Sequence, residues 1–131
     1  MNIFILDQNP AKAAEMLCDC HLRKMCVETA QILSGVMIRK GLELYDTMPK
    51  PQNINHPVIV AADADNNALD WVINYNHSLL KQFYFRFGKT HTPIALPKWI
   101  ILANCGVDLI PAIAPTLQNA VAIWMWQIWT L

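Results

Sequence analysis

The sequence predicts an all-α chain with two long helices, a C-terminal apolar helix and a short extended N-terminal segment. Three observations carry this. Apolar residues recur at three- and four-residue steps through residues 11–40 and again through 66–87, the spacing of one face of an α-helix. Start and stop residues bracket these stretches, Asn9-Pro10 and Gly41 around the first and Gly88 after the second. Beyond Lys98 the composition turns apolar and rich in tryptophan. With 131 residues, 54% hydrophobic and 15% charged, the chain can bury a core and is too apolar to be disordered. It reads as one helical domain over residues 1–131.

Taken in order, residues 2–6 are a brief apolar, extended run, and Asp7 to Pro10 enter a helix with proline in its first turn. The first helix runs from Ala11 to about Lys40. Its buried face is Cys18, Leu22, Met25, Cys26, Thr29, Ile32, Leu33 and Val36, within an arc of roughly 120°. Gly41 ends it, with Gly35 as an earlier alternative. Met48-Pro49-Lys50-Pro51, Asn53 and the Asn55-His56-Pro57 turn form a loop of restricted conformations, and Val58-Ile59-Val60 is a short apolar segment.

The second helix spans Asn66 or Asn67 to Phe87, with Leu69, Val72, Leu79, Leu80, Phe83 and Phe87 on its apolar stripe and Gly88 as a left-handed cap. Residues 99–131 hold one charged side chain, Asp108, and four of the five tryptophans. That tail is long enough to span a membrane, but Pro111, Pro115, Gln118, Asn119 and Gln127 argue against insertion. The expected structure is a buried helix from about Thr116, with Trp124, Trp126 and Trp129 against the other helices or at a homo-oligomer contact.

Composition narrows function. Ten Lys plus Arg balance ten Asp plus Glu, so a grip on nucleic acid must come from local clusters rather than from a strongly basic surface. The cysteines lack paired C-x-x-C spacing and no signal peptide precedes them, which predicts reduced thiols in the cytoplasm. Cys18 and Cys20 on one helix would point about 160° apart, so no metal shared with His21 is expected, and no cofactor.

The chemistry-bearing pattern is a polar stripe. His21, Lys24, Glu28 and Gln31 fall at steps of three, four and three, within an arc of roughly 80° that borders the apolar face. At the rim of a core, Glu28 can serve as general acid or base, His21 as proton carrier or hydrogen-bond donor, and Lys24 as anion ligand or imine-forming amine. A solvated face with an ordinary ion pair is the bland alternative. Arg86, Lys89 and His91 at a helix end can hold a phosphate, or simply complement the helix dipole. Phe85 and Phe87 could stack a base, though Phe87 has the spacing of a core residue. His56 is a lone loop histidine, and His77 carries no spacing signal.

The run Leu17-Cys18-Asp19-Cys20-His21-Leu22, with Glu28 seven residues after the histidine, resembles the first long helix of the phage pyrimidine-dimer DNA glycosylase family, also called endonuclease five. Leu69-Asp70-Trp71 through Arg86-Phe87-Gly88 is loosely similar to a later helix of that family. The stripe, the Asn55-His56-Pro57 turn and Arg86-Phe87-Gly88-Lys89-x-His91 also look like a group of small phage proteins without an assigned activity. The glycosylase resemblance implies an all-helical protein of an infected host's cytoplasm that acts on ultraviolet-damaged DNA. It also implies attack on the sugar C1′ by the α-amino group of the processed N-terminal residue, with Glu28 matching the catalytic carboxylate and His21 a histidine of the same helix. Asn2 stands where the family has a small residue, and Cys26-Val27 where arginines precede the glutamate. A non-enzymatic protein is the alternative expectation, holding a nucleotide, an anion or a host factor through His21, Lys24 and Glu28 with Arg86, Lys89 and His91.

Overall fold

The computed structural model describes residues 3–44, 49–51 and 53–91. Four helices follow one another in these segments: α1 (Pro10–Glu15), α2 (Asp19–Arg39), α3 (Pro57–Ala64) and α4 (Asn66–Phe87). No strand occurs among the described residues, so the all-α expectation holds. The C-terminal helix expected from about Thr116, its tryptophans and the oligomer contact lie outside the described residues. Among the described residues, no helix is long and apolar enough to cross a membrane.

The single first helix expected over 11–40 is instead two. Asn9 caps α1, its side-chain oxygen accepting from the Ala11 and Lys12 N–H groups at 2.9 and 3.4 Å, and Pro10 follows at a position where no donor is missed. The chain breaks at Met16–Cys18 and restarts with Cys18, in extended conformation, as the cap of α2. Neither glycine nor proline marks this break. It is held from α4: Arg86 Nη2 donates to the Glu15 carbonyl at 2.8 Å, and Nη1 donates to the Leu17 carbonyl at 2.6 Å and to Asp19 Oδ1 at 3.2 Å. A guanidinium fork thus satisfies carbonyls that a helix end leaves open.

α2 passes straight through Gly35 and stops where Gly41, at φ +74°, turns the chain. The Leu42 N–H donates to the Met37 carbonyl and the Gly41 N–H to the Ile38 carbonyl, at 2.9 and 3.0 Å, the paired bonds of a Schellman ending. Gly35 is small for a different reason. A Cβ there would lie 2.5 Å from Ile59 Cδ1, so the glycine permits the close approach of α3. Residues 58–60, expected only as a short apolar segment, belong to α3. His56 Nδ1 accepts from the Val58 N–H at 3.3 Å and Pro57 opens the helix. Asp65 closes α3 and caps α4, accepting from the Asn67 N–H at 2.8 Å.

α4 is the hub, packed against α1, α2 and α3. Trp71 and Tyr75 are its largest fully buried side chains, with ring centroids 4.7 Å apart. Their polar atoms latch the N-terminal segment: Trp71 Nε1–H donates to the Gln8 carbonyl at 3.0 Å and the Tyr75 hydroxyl to the Phe4 carbonyl at 2.8 Å. Ile3 is buried beside them in the common core. On the far side, Asp63 of α3 pairs with Arg39 Nε at 2.9 Å and Lys40 Nζ at 3.3 Å. Burial alone would raise the Asp63 carboxyl, but the two cations outweigh it and hold the group below its ordinary range.

Candidate active site

The stripe on α2 descends from solvent into the core. His21 and Lys24 are exposed, while Glu28 and Gln31 are partly buried. Position 28 follows His21 by seven residues, about 10 Å along the helix axis, so the four groups share a face without all touching. The Glu28 side chain is only 12% exposed, and its Oε1 lies 3.9 Å from Lys24 Nζ. Its Oε2 is buried without a hydrogen-bond partner among the described residues. A carboxylate oxygen in that position costs stability and needs a reason.

The surroundings fix this carboxylate's helix firmly. Thr29, next in sequence, donates its hydroxyl to the Met25 carbonyl at 2.7 Å and accepts from Asn76 Nδ2 of α4 at 2.9 Å. Both residues are fully buried, so this pair sets the register of α2 on α4. Above it, the His21 ring lies against Phe4, with centroids 5.3 Å apart, which brings the N-terminal segment alongside the upper stripe. Cys26 is buried within the helix interface, and burial pushes its thiol up to about 12. Burial likewise drives the Tyr75 phenol upward, so neither group is ionised at neutral pH.

Two of the three residues expected to form a second binding cluster are engaged elsewhere. Arg86 has its donors on the break between α1 and α2, as described. His91 packs edge-on against Phe83 at 4.8 Å, its Nδ1 buried without a hydrogen-bond partner among the described residues, and burial lowers its pKa. Lys89 is exposed beyond Gly88. His56 serves as the cap of α3, with burial lowering its pKa. Phe87 is half-buried against Phe83 and beneath Arg23, whose guanidinium carbon sits 4.6 Å above the ring. Phe85, by contrast, is 82% exposed and presents a free aromatic face.

At the top of the stripe the structure corrects one geometric expectation. Because Cys18 caps α2 from outside instead of sitting within it, the Cys18 and Cys20 sulfurs do not diverge. They are 3.2 Å apart, and one donor atom from each of Cys18, Cys20 and His21 falls within 4.8 Å of the others. The Thr29–Asn76 pair also escaped sequence reasoning, which counted Thr29 among apolar positions. So did Asp70, buried on α4. A polar residue at a core position in each long helix was the available signal.

The sequence pattern of the pyrimidine dimer DNA glycosylase family matches residues 1–93, which include the four described helices and the whole stripe. The chain belongs to that family. The resemblance of the α2 segment containing His21 and Glu28 is thereby extended to the complete described fold. No curated protein and no solved structure matches the chain.

Proposed function

We propose that this chain is a DNA glycosylase with an associated abasic-site lyase step, acting on pyrimidine-dimer lesions, in which Glu28 is the general acid/base. The observation that carries the proposal is the Glu28 carboxylate itself, 12% exposed and with one oxygen unpartnered, on a helix within the stretch that matches a family named for this chemistry. Active sites keep such a group because its reactivity outweighs its cost in stability.

A primary amine attacks C1′ of the damaged nucleotide, its lone pair forming the C–N bond while the glycosidic electrons leave with the base. Glu28 takes the amine's proton and returns it to the ring oxygen as the sugar opens to an imine. Removal of a C2′ proton then expels the 3′ phosphate, and water releases the amine. The family's amine is the α-amino group of a processed N-terminus. Support for the same arrangement here comes from buried Ile3 and from Phe4 against His21, since each residue of chain reaches only about 3.8 Å further. Lys24, beside Glu28 but 66% exposed, is the competing amine.

The lesion or its partner base must leave the stack to be reached. Exposed Lys24 and Lys89 would meet the phosphate backbone, so their loss weakens binding in a salt-dependent way. The non-enzymatic reading uses His21, Lys24 and Glu28 with Arg86, Lys89 and His91; of these, the Arg86 guanidinium is already engaged by two carbonyls and Asp19, which weakens that part of the reading. The test is strand incision of a dimer-containing duplex. Glu28→Gln should lower single-turnover incision by about 10²–10⁴-fold with affinity for the duplex retained; parallel loss of binding and rate would overturn the role.

A further inference from the structure

We propose that Cys18, Cys20 and His21 form a binding site for a thiophilic d10 cation, Zn2+ first among them, at the start of α2. The site lies outside the Glu28 chemistry and stands whether or not that chemistry is confirmed. Three donors of the kinds such ions prefer, two sulfurs and an imidazole nitrogen, come from four consecutive residues, and all lie within 4.8 Å of one another. Two thiolates on one tetrahedral Zn2+ at about 2.3 Å stand roughly 3.8 Å apart, and a thiolate and an imidazole nitrogen about 3.5 Å. The 3.2 Å between the sulfurs is therefore within a small side-chain rotation of a chelate.

The fold builds this arrangement. Uninterrupted helix would separate the two sulfurs, and it is the break before Cys18, fixed by Arg86 on the Glu15 and Leu17 carbonyls, that turns Cys18 back over Cys20. The residue between them, Asp19, is held by the same guanidinium at 3.2 Å. His21 is steadied from its other side by the Phe4 ring. All three residues are exposed, so an ion can enter directly and water can complete four-coordination.

Binding exchanges two thiol protons for the cation, leaving the imidazole neutral, so each Zn2+ taken up releases up to two protons without any change of oxidation state. Metal there would fix the His21 ring at the upper end of the stripe and withdraw its ligating nitrogen from other partners.

The test is titration of the reduced, metal-free full chain with Co2+, followed by displacement with Zn2+. The proposal expects one equivalent of Co2+ with the intense visible bands and thiolate charge-transfer absorption of a tetrahedral sulfur site, displaced by one equivalent of Zn2+ with proton release. Cys18→Ser and Cys20→Ser should each weaken binding by about a hundredfold or more, and His21→Gln should shift the visible bands. Circular dichroism checks that these surface variants fold. The pale spectrum of octahedral Co2+, or thiolate bands that survive both cysteine substitutions, would overturn the site. So would a Cys18–Cys20 disulfide that persists under the reducing conditions used.

Discussion

Replacing Arg86 with alanine separates a structural guanidinium from an anion-binding one. The side chain is 20% exposed and donates to two main-chain carbonyls, at 2.8 and 2.6 Å, that close the break between α1 and α2. Leaving a buried acceptor without its donor costs about 1–3 kcal/mol. The Leu17 carbonyl is part-buried and the Glu15 carbonyl exposed, so water takes over much of the second bond and the loss is about 1–3 kcal/mol. The bond to Asp19, which is 69% exposed, adds at most about 1 kcal/mol. At about 4 °C per kcal/mol for a chain of this size, the melting temperature should fall by roughly 4–16 °C.

Urea unfolding followed by circular dichroism measures this, with the midpoint falling and the slope unchanged. Arg86→Lys should recover only part of the loss, because an ammonium cannot fork two carbonyls. Lys89→Ala, at an exposed position, should stay within about 0.5 kcal/mol of the parent. If Arg86→Ala also stayed within about 0.5 kcal/mol, the break would not be held by this side chain and the account of α1 and α2 would fail.

Other outcomes follow from the same contacts. Thr29→Val removes the acceptor of the buried Asn76 amide and should cost about 1–3 kcal/mol; a neutral result in urea unfolding would mean that the pair does not set the α2–α4 register. Gly35→Ala places a Cβ 2.5 Å from Ile59 Cδ1, so despite about 1 kcal/mol of helix propensity gained it should destabilise by about 1 kcal/mol net. Ile59→Val, which removes that methyl, should recover part of the loss in a double-mutant cycle, and strict additivity would contradict the contact. His56 and His91 are held below the ordinary imidazole value chiefly by burial, and His77, at the surface, by partial desolvation and the charge of Lys81. The unfolded chain therefore binds more protons just below about pH 6.5. Stability from these groups should be complete above that pH and fall as acid is added toward the folded-state values; a urea midpoint that rises from pH 7 to pH 5 would refute this.

Much of this architecture was legible in local chemistry. Asn9-Pro10, Gly41 and Gly88 act where their backbone preferences say they should, and the apolar spacing gave α4 its full length. The stripe's place at the edge of the core followed from its angle to the apolar face, and Glu28 and Gln31 are partly buried as that angle requires. What could not be read locally was set from a distance. The break after Glu15 depends on Arg86, 71 residues away, so residues 11–40 looked like one helix. The same side chain therefore looked available to a phosphate. With the break unseen, Cys18 and Cys20 were placed on opposite sides of a helix that does not include Cys18. α3 was missed because its eight residues are too short for periodicity to register, and its start depends on a histidine cap that is not among the common capping residues.

The central claim is that Glu28 serves an amine that forms an imine with damaged DNA. Borohydride trapping tests it most directly, because reduction of the imine leaves an irreversible cross-link whose attachment point mass spectrometry locates. With a pyrimidine-dimer duplex, the account predicts a dimer-dependent adduct at the N-terminal amine, formed by the parent protein and lost in Glu28→Gln. Folded protein that gives no adduct with either a dimer or an abasic duplex, or an adduct that forms equally well in Glu28→Gln, would contradict it.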